Sequence, residues 1–174
     1  ETKSLGKKAN QYDKAEELIT FYTFAPLELR KDRKEGVEQI LKLANVYEAV
    51  EGIIKVGFEK QFQPPKGYLK WLTKEVSRHP VRYIREQGRE HIGKGKRLEG
   101  NTHVDAVIET KTLLILVEVK FTSDISPDTK FSSNRNQLAR TIDVGISEVK
   151  NSKKKKLVVL LSSLSEFYHK KSRF

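Results

Sequence analysis

The stretch Leu113-Leu-Ile-Leu-Val-Glu-Val-Lys-Phe121 limits the fold more than any other part of the chain. Its apolar residues run almost without a break, so both faces of the strand they form must be covered, as in a central strand of a sheet. Two charges interrupt the run. Glu118 and Lys120 stand two apart and project from one face of that strand, with valines on the other. Charges at the end of a buried strand are costly unless paired or bound to a metal. The strand therefore carries a chemical expectation as well as a structural one.

The flanking segments extend both. His103 to Ile108 alternates and is rich in β-formers, which predicts a preceding strand that carries Asp105. If the two strands fold back near Lys111-Thr112, Asp105 stands opposite Glu118, with Cβ atoms ~5 Å apart. Lys111-Thr112 is not a favoured two-residue hairpin turn, so a longer turn about the same centre is expected. Residues 122–131, with Ser126, Pro127 and Asp128, read as a loop. A helix from about 133 to 148 places Leu138, Ile142, Ile146 and Val149 on one face, and Leu157 to Leu161, behind Lys153 to Lys156, reads as a buried strand.

Toward the N-terminus, Pro64-Pro65 breaks the chain and marks the expected boundary. Beyond it, Tyr68, Leu69, Trp71, Leu72 and Val76 predict a helix with Tyr68 and Trp71 in the core. Pro80 and Gly88 bracket a further short helix as its start and its stop. Before the prolines, Asp13 is placed to cap a helix carrying Leu18, Ile19, Phe21 and Tyr22. Val37, Ile40, Leu41, Ala44 and Tyr47 form the apolar face of a second helix. The expected fold is α/β: a mixed central β-sheet flanked by helices in residues 66–174, preceded by an N-terminal helical segment in residues 1–65.

Charge narrows the partners. The chain has 34 Lys+Arg against 23 Asp+Glu, a formal net charge of +11. So basic a domain attracts polyanions, nucleic acid first and anionic membrane second. The absence of cysteine excludes disulfides, thiolate metal sites and thiol nucleophiles. No apolar run reaches the length of a membrane-spanning helix, and the polar, lysine-rich start shows no secretory signal, so an intracellular, cytoplasmic protein is expected.

Two carboxylates and a lysine on one face suit phosphodiester hydrolysis. Mg2+ takes oxygen ligands and keeps several waters, so one or two carboxylates are enough to hold it. Asp105 followed by Glu118-Val119-Lys120 resembles the PD-(D/E)XK motif of the restriction-endonuclease-like nuclease superfamily. The proline of that motif is not kept, since Val104 precedes Asp105. The family core of helix, three-stranded meander, helix and strand matches the order read between about residues 67 and 162. Glu148-Val149-Lys150 repeats the letters of the motif, but at a charged helix end beside Asn151 and Ser152, where they are ordinary surface residues.

The resemblance implies a metal-dependent DNA endonuclease. Asp105 and Glu118 would bind Mg2+, with Mn2+ as a substitute, and Lys120 would assist the attacking water or the transition state. It also adds candidates. The helix after the lysine strand would bring Gln137 to the active site, and Arg135 and Arg140 to the nucleic acid. The helix before the meander would supply a further acid, Glu75 or Glu86, with Glu86 preferred because its helix runs directly into the strands. His103 shares a face with Asp105, but a lone strand histidine is more often simply packed. The rival readings are a DNA-binding module with little activity of its own, and a structure-specific or RNA-cleaving nuclease. Double-strand cutting by a single-site nuclease would call for a homodimer, with the N-terminal helices as the interface.

Overall fold

In the computed structural model, which describes residues 16–120, 129–132, 135–152 and 156–163, the Leu113 strand lies inside a four-stranded sheet. The strands are β1 (Lys55–Phe62), β2 (Thr102–Glu109), β3 (Leu113–Lys120) and β4 (Lys156–Ser163), adjacent in that order. β1 with β2 and β2 with β3 are antiparallel, while β3 and β4 are parallel. The parallel pair needs a crossover, which α6 (Gln137–Ser152) supplies. The protein is thus α/β with a mixed sheet. Every residue of β3 is buried, as its two-sided apolar run demands.

Alternation along β3 divides the core. Leu113, Ile115, Val117 and Val119 join Ala106 and Ile108 of β2 on one side. That side is closed by Phe24, Leu27, Val37 and Leu41 from α1 (16–24), α2 (Pro26–Leu29) and α3 (Arg33–Leu43). Leu114 and Leu116 face the other way and pack with Val107 and with Val144 of α6. A smaller cluster of Leu72, Val76, Leu98 and Phe131 holds α4 (Lys66–Arg78) and α5 (Arg82–Gly93). No helix among the described residues is long and apolar enough to cross a membrane.

The structure differs from the sequence expectations at several places. Tyr47, expected on the apolar face of the second helix, lies past the end of α3 and is exposed, and Pro80 lies ahead of α5 rather than at its first position. β1 lies ahead of Pro64-Pro65 and pairs with β2 from Lys55–Glu109 to Phe62–Thr102. The segment expected to be helical through residue 65 therefore contributes a strand of the same sheet. Val56, Phe58 and Phe62 at even spacing carry that signal. The helices before the meander are accordingly α1 to α3, and α4 and α5 are inserted between β1 and β2.

Helix α6 is rotated from its expected face. Ile142 and Ile146 are 38% and 41% exposed, and the helix instead buries Thr141, Val144 and Gly145. A Cβ on Gly145 would lie 2.5 Å from Leu157 and 2.9 Å from Leu116, so the leucines of β3 and β4 leave room only for small side chains. Trp71, expected in the core, is half-exposed, with its ring 5.7 Å from that of Tyr68.

Gly88 does not stop its helix but sits inside α5, against α4. A Cβ there would lie 2.1 Å from Val76 Cγ1, on a stiff β-branched side chain. Alanine is the better helix former by about 1 kcal/mol, yet Gly88→Ala is expected to destabilise the protein by about 1–3 kcal/mol through overpacking. Denaturant unfolding reads the sign directly, and a stabilised variant would refute the close approach. The expected cap Asp13, the Ser126-Pro127-Asp128 loop and Lys153 to Lys155 lie outside the described residues.

Candidate active site

The hairpin between β2 and β3 turns at Lys111-Thr112, with side-chain help. The Thr110 hydroxyl accepts from the N–H groups of Thr112 (3.2 Å) and Leu113 (2.9 Å), and Thr110 N donates to Leu113 O (2.9 Å). This threonine supplies the acceptor that a favoured turn dipeptide would not have needed. The resulting register runs from Glu109–Leu114 to Ala106–Val117. One step further it sets Asp105 against Glu118, the opposition expected from the spacing. At that point the Val119 N–H donates to Asp105 Oδ2 at 2.6 Å, so a carboxylate side chain closes the ladder.

Glu118 is fully buried. Its Oε1 accepts from Lys120 Nζ at 2.9 Å and from Gln137 Nε2 in the first turn of α6. Asn136 fixes that turn, its Oδ1 accepting from Ala139 N at 2.8 Å in the manner of an N-cap. Lys120 is 8% exposed. Asp105, Glu118, Lys120 and Gln137 are thus brought together from three elements.

The charges strain one another. Burial, then the charge of Asp105, pushes the Glu118 carboxyl up to about 7, against the pull of Lys120. Asp105 is raised by burial, offset in part by the Val119 N–H and Lys120. For Lys120, burial opposes the ammonium, but the charge and hydrogen bond of Glu118, with Asp105, hold it above its ordinary range.

The residues fit a divalent cation. Glu118 Oε2 is buried and has no hydrogen-bond partner among the described residues. A buried carboxylate oxygen left so is costly, and a cation shared with Asp105 would satisfy it. Among the described residues no group of three acidic or imidazole side chains forms a closed cage, which is compatible with an ion that keeps most of its waters.

A pH test follows. Glu118 holds its proton up to about 7 in the fold against an ordinary 4.5. The native state therefore binds more protons than the unfolded chain across that window, and stability falls as pH rises through it. Asp105 acts in the same direction. Without divalent cation, the melting temperature of the wild type should drop between those pH values, and that of Glu118→Gln should drop less. Added Mg2+ should then raise the wild-type value above pH 7 but not that of the variant. Parallel profiles would mean that Glu118 is not the strained group.

Other sequence candidates are placed elsewhere. Arg135, expected on nucleic acid, is turned inward, 7% exposed. Its Nε donates to both oxygens of Glu99 (3.1 and 2.9 Å), its Nη1 donates to Asp143, and its guanidinium lies 3.7 Å over the Tyr68 ring. Arg140 donates to the carbonyls of Gly100 and Asn101 and pairs with Glu99 at 3.3 Å. Both arginines thus pair with the buried Glu99. Glu86 is exposed and paired with Arg82 on its own helix (2.6 Å), and Glu75 is also exposed. His103 is exposed too, opposite Gln61 in the ladder.

The acids that do approach were not singled out in the sequence. The charge of Glu16, on α1, acts on Asp105, Glu118 and Lys120 alike. Glu59 falls at the point in β1 where the β1–β2 pairing skips from Phe58–Ala106 to Lys60–Val104, beside Asp105. Its φ is 48°, a left-handed conformation that costs a non-glycine residue roughly 1–2 kcal/mol. Recognising β1 by its period would have pointed to Glu59, because it moves the start of the meander to residue 55 and leaves α1 to α3 as the helices before it. An open cleft of about 450 Å3 runs from Asp105 and Glu59 along Leu18 and Phe21 of α1. The chain matches no family model, no curated protein and no solved structure.

Proposed function

We propose that the protein is a metal-dependent endonuclease that hydrolyses DNA phosphodiester bonds, with a core of the restriction-endonuclease-like kind. The observation that carries the reading is the buried Glu118 and Lys120 beside the half-buried Asp105, with a Glu118 Oε2 that has no hydrogen-bond partner among the described residues, at the point where β2 and β3 stop pairing. The order of a three-stranded meander, a crossover helix and a parallel strand supports the kinship, and the net charge of +11 supports a polyanionic substrate.

Asp105 and Glu118 would hold Mg2+ or Mn2+. When bound, such an ion activates water and neutralises charge on the scissile phosphate. Glu118 keeps its orientation through Gln137, which leaves Oε2 free to face the cation. Lys120, positively charged and next to Glu118, orients the attacking water and stabilises the charge that builds on the phosphoryl oxygens. Water adds its oxygen to phosphorus, the bond to the departing sugar oxygen breaks, and the proton lost by the water balances the one taken up there.

The test is incubation of purified protein with supercoiled plasmid in Mg2+, in Mn2+ and in EDTA. Metal-dependent nicking is the expected result, and linear product would point to the two strands being cut by a homodimer. Absence of cleavage in both metals, with DNA still bound in a gel shift, would replace the proposal with that of a binding module.

A further inference from the structure

The cleft beside Asp105 is not built for a phosphate. Leu18, Phe21 and Phe58 wall it, and the acidic residues Glu17, Glu59 and Asp105 also line it. The rings of Phe21 and Phe58 lie 5.3 Å apart at 53°, and Phe21 is 51% exposed. Carboxylates repel phosphate, and toward an uncharged ligand they accept from N–H and O–H donors. The cleft therefore suits a flat, uncharged group with N–H edges that can stack on an aromatic ring, which is the chemistry of a nucleobase.

Position adds the second constraint. Asp105 belongs both to this cleft and to the candidate active site, so an occupant of the cleft lies close to the phosphate under attack. In a perfect duplex the base beside that phosphate is stacked and paired, turned away from a protein that grips the backbone. Only a base already unpaired, or swung out of the stack, can enter. Glu59 fits the same picture. It leaves the β1–β2 ladder in a backbone region that residues other than glycine rarely enter, and it lines the cleft.

Resting on the nuclease reading of this site, we infer that the cleft receives one unpaired base next to the scissile phosphate, so that the enzyme acts on single-stranded or locally unpaired DNA in preference to perfect duplex. Phe21 supplies the stacking face, and Glu17 and Glu59 accept from the exocyclic amine of the base. The net charge of +11 brings the strand to the protein, and the cleft selects its unpaired part.

The experiment compares three DNA substrates of one sequence: single strand, duplex with a central bubble, and full duplex. Cleavage is measured for the wild type, Phe21→Leu, Phe58→Leu and Phe21→Trp, and binding is measured by anisotropy with the same changes in a Lys120→Ala background. Leucine keeps the apolar packing and removes the ring, and tryptophan keeps a stacking face. Thermal melts identify any variant that loses its fold. Stacking of one base on an aromatic side chain is worth roughly 5- to 150-fold in affinity.

The expected result is a preference for the single strand and the bubble of about ten-fold or more, lost in both leucine variants and kept by Phe21→Trp. Equal cleavage of full duplex, or an unchanged preference in the leucine variants, overturns the base site and leaves the nuclease reading standing. Failure to cleave any substrate overturns the nuclease reading, and the anisotropy series then decides the cleft by the same criterion. A leucine variant that dissociates a dimer without altering substrate preference would assign the cleft to a second copy of the chain and overturn the proposal.

Discussion

Lys120→Ala is expected to lower metal-dependent plasmid cleavage by about 10³-fold, with DNA affinity almost unchanged. The lysine is nearly buried and its Nζ lies 2.9 Å from Glu118 Oε1. Truncation removes an ammonium that would stabilise charge only as it forms on the phosphoryl group. An interaction made in the transition state and not in the bound state appears in kcat rather than in binding. The truncation also takes away the group that opposes burial of the Glu118 charge, so the carboxyl should retain its proton to higher pH. Part of the loss should therefore be recovered as pH rises, which the loss of an ammonium alone would not produce. Lys120→Arg should recover little, because a planar fork does not fit the place of a compact ammonium. Lys150, in the second Glu-Val-Lys of the chain, is exposed near the end of α6, and Lys150→Ala should leave the rate as it is. Single-turnover assays measure all three, and full cleavage by Lys120→Ala would sink the mechanism.

Glu99→Ala is expected to cost about 3–5 kcal/mol of stability, a large share of the 5–15 kcal/mol (roughly) that holds a domain together. Glu99 is 4% exposed and fully engaged. It accepts from Arg135 Nε with both oxygens, from the Tyr68 hydroxyl at 2.9 Å, and pairs with Arg140. Burial and the charge of Glu99 push the Tyr68 hydroxyl up to about 12, so it stays a donor. Without the glutamate, the buried Arg135 loses its paired carboxylate, and its Nη2, which has no hydrogen-bond partner among the described residues, is left with still less compensation. Asp143, at 41% side-chain exposure, is screened by solvent, and Asp143→Ala should cost about 1 kcal/mol or less. Urea unfolding with a constant slope gives both values. The network also holds the segment that leads into α6, so Glu99→Ala should disturb Gln137 and, through it, Glu118. If Glu99→Ala were as stable as the wild type, Arg135 would not be a structural pin.

These two sites show different legibility. The sequence by itself determined β3 as a central strand, because an apolar run of that length must be covered on both faces. It determined that Glu118 and Lys120 share a face, because strand geometry alternates, and it placed Asp105 opposite Glu118 on the condition of a turn about Lys111-Thr112, which the observed register from Glu109–Leu114 to Ala106–Val117 meets. These are short-range properties, fixed by spacing along a few neighbouring residues.

Only the tertiary structure decided the rest. Arg135 turns inward because Glu99, 36 residues away, is buried beside it. Helix α6 shows Ile142 and Ile146 to solvent because Leu116 and Leu157 take the space that its apolar face would have filled. The acids near Asp105 come from α1 and β1 rather than from α5, because the α4–α5 pair is inserted into the meander instead of preceding it. Periodicity reports which residues of an element can share a face. Which face is buried, and which distant charge it meets, depends on the volumes of side chains that lie far apart in sequence.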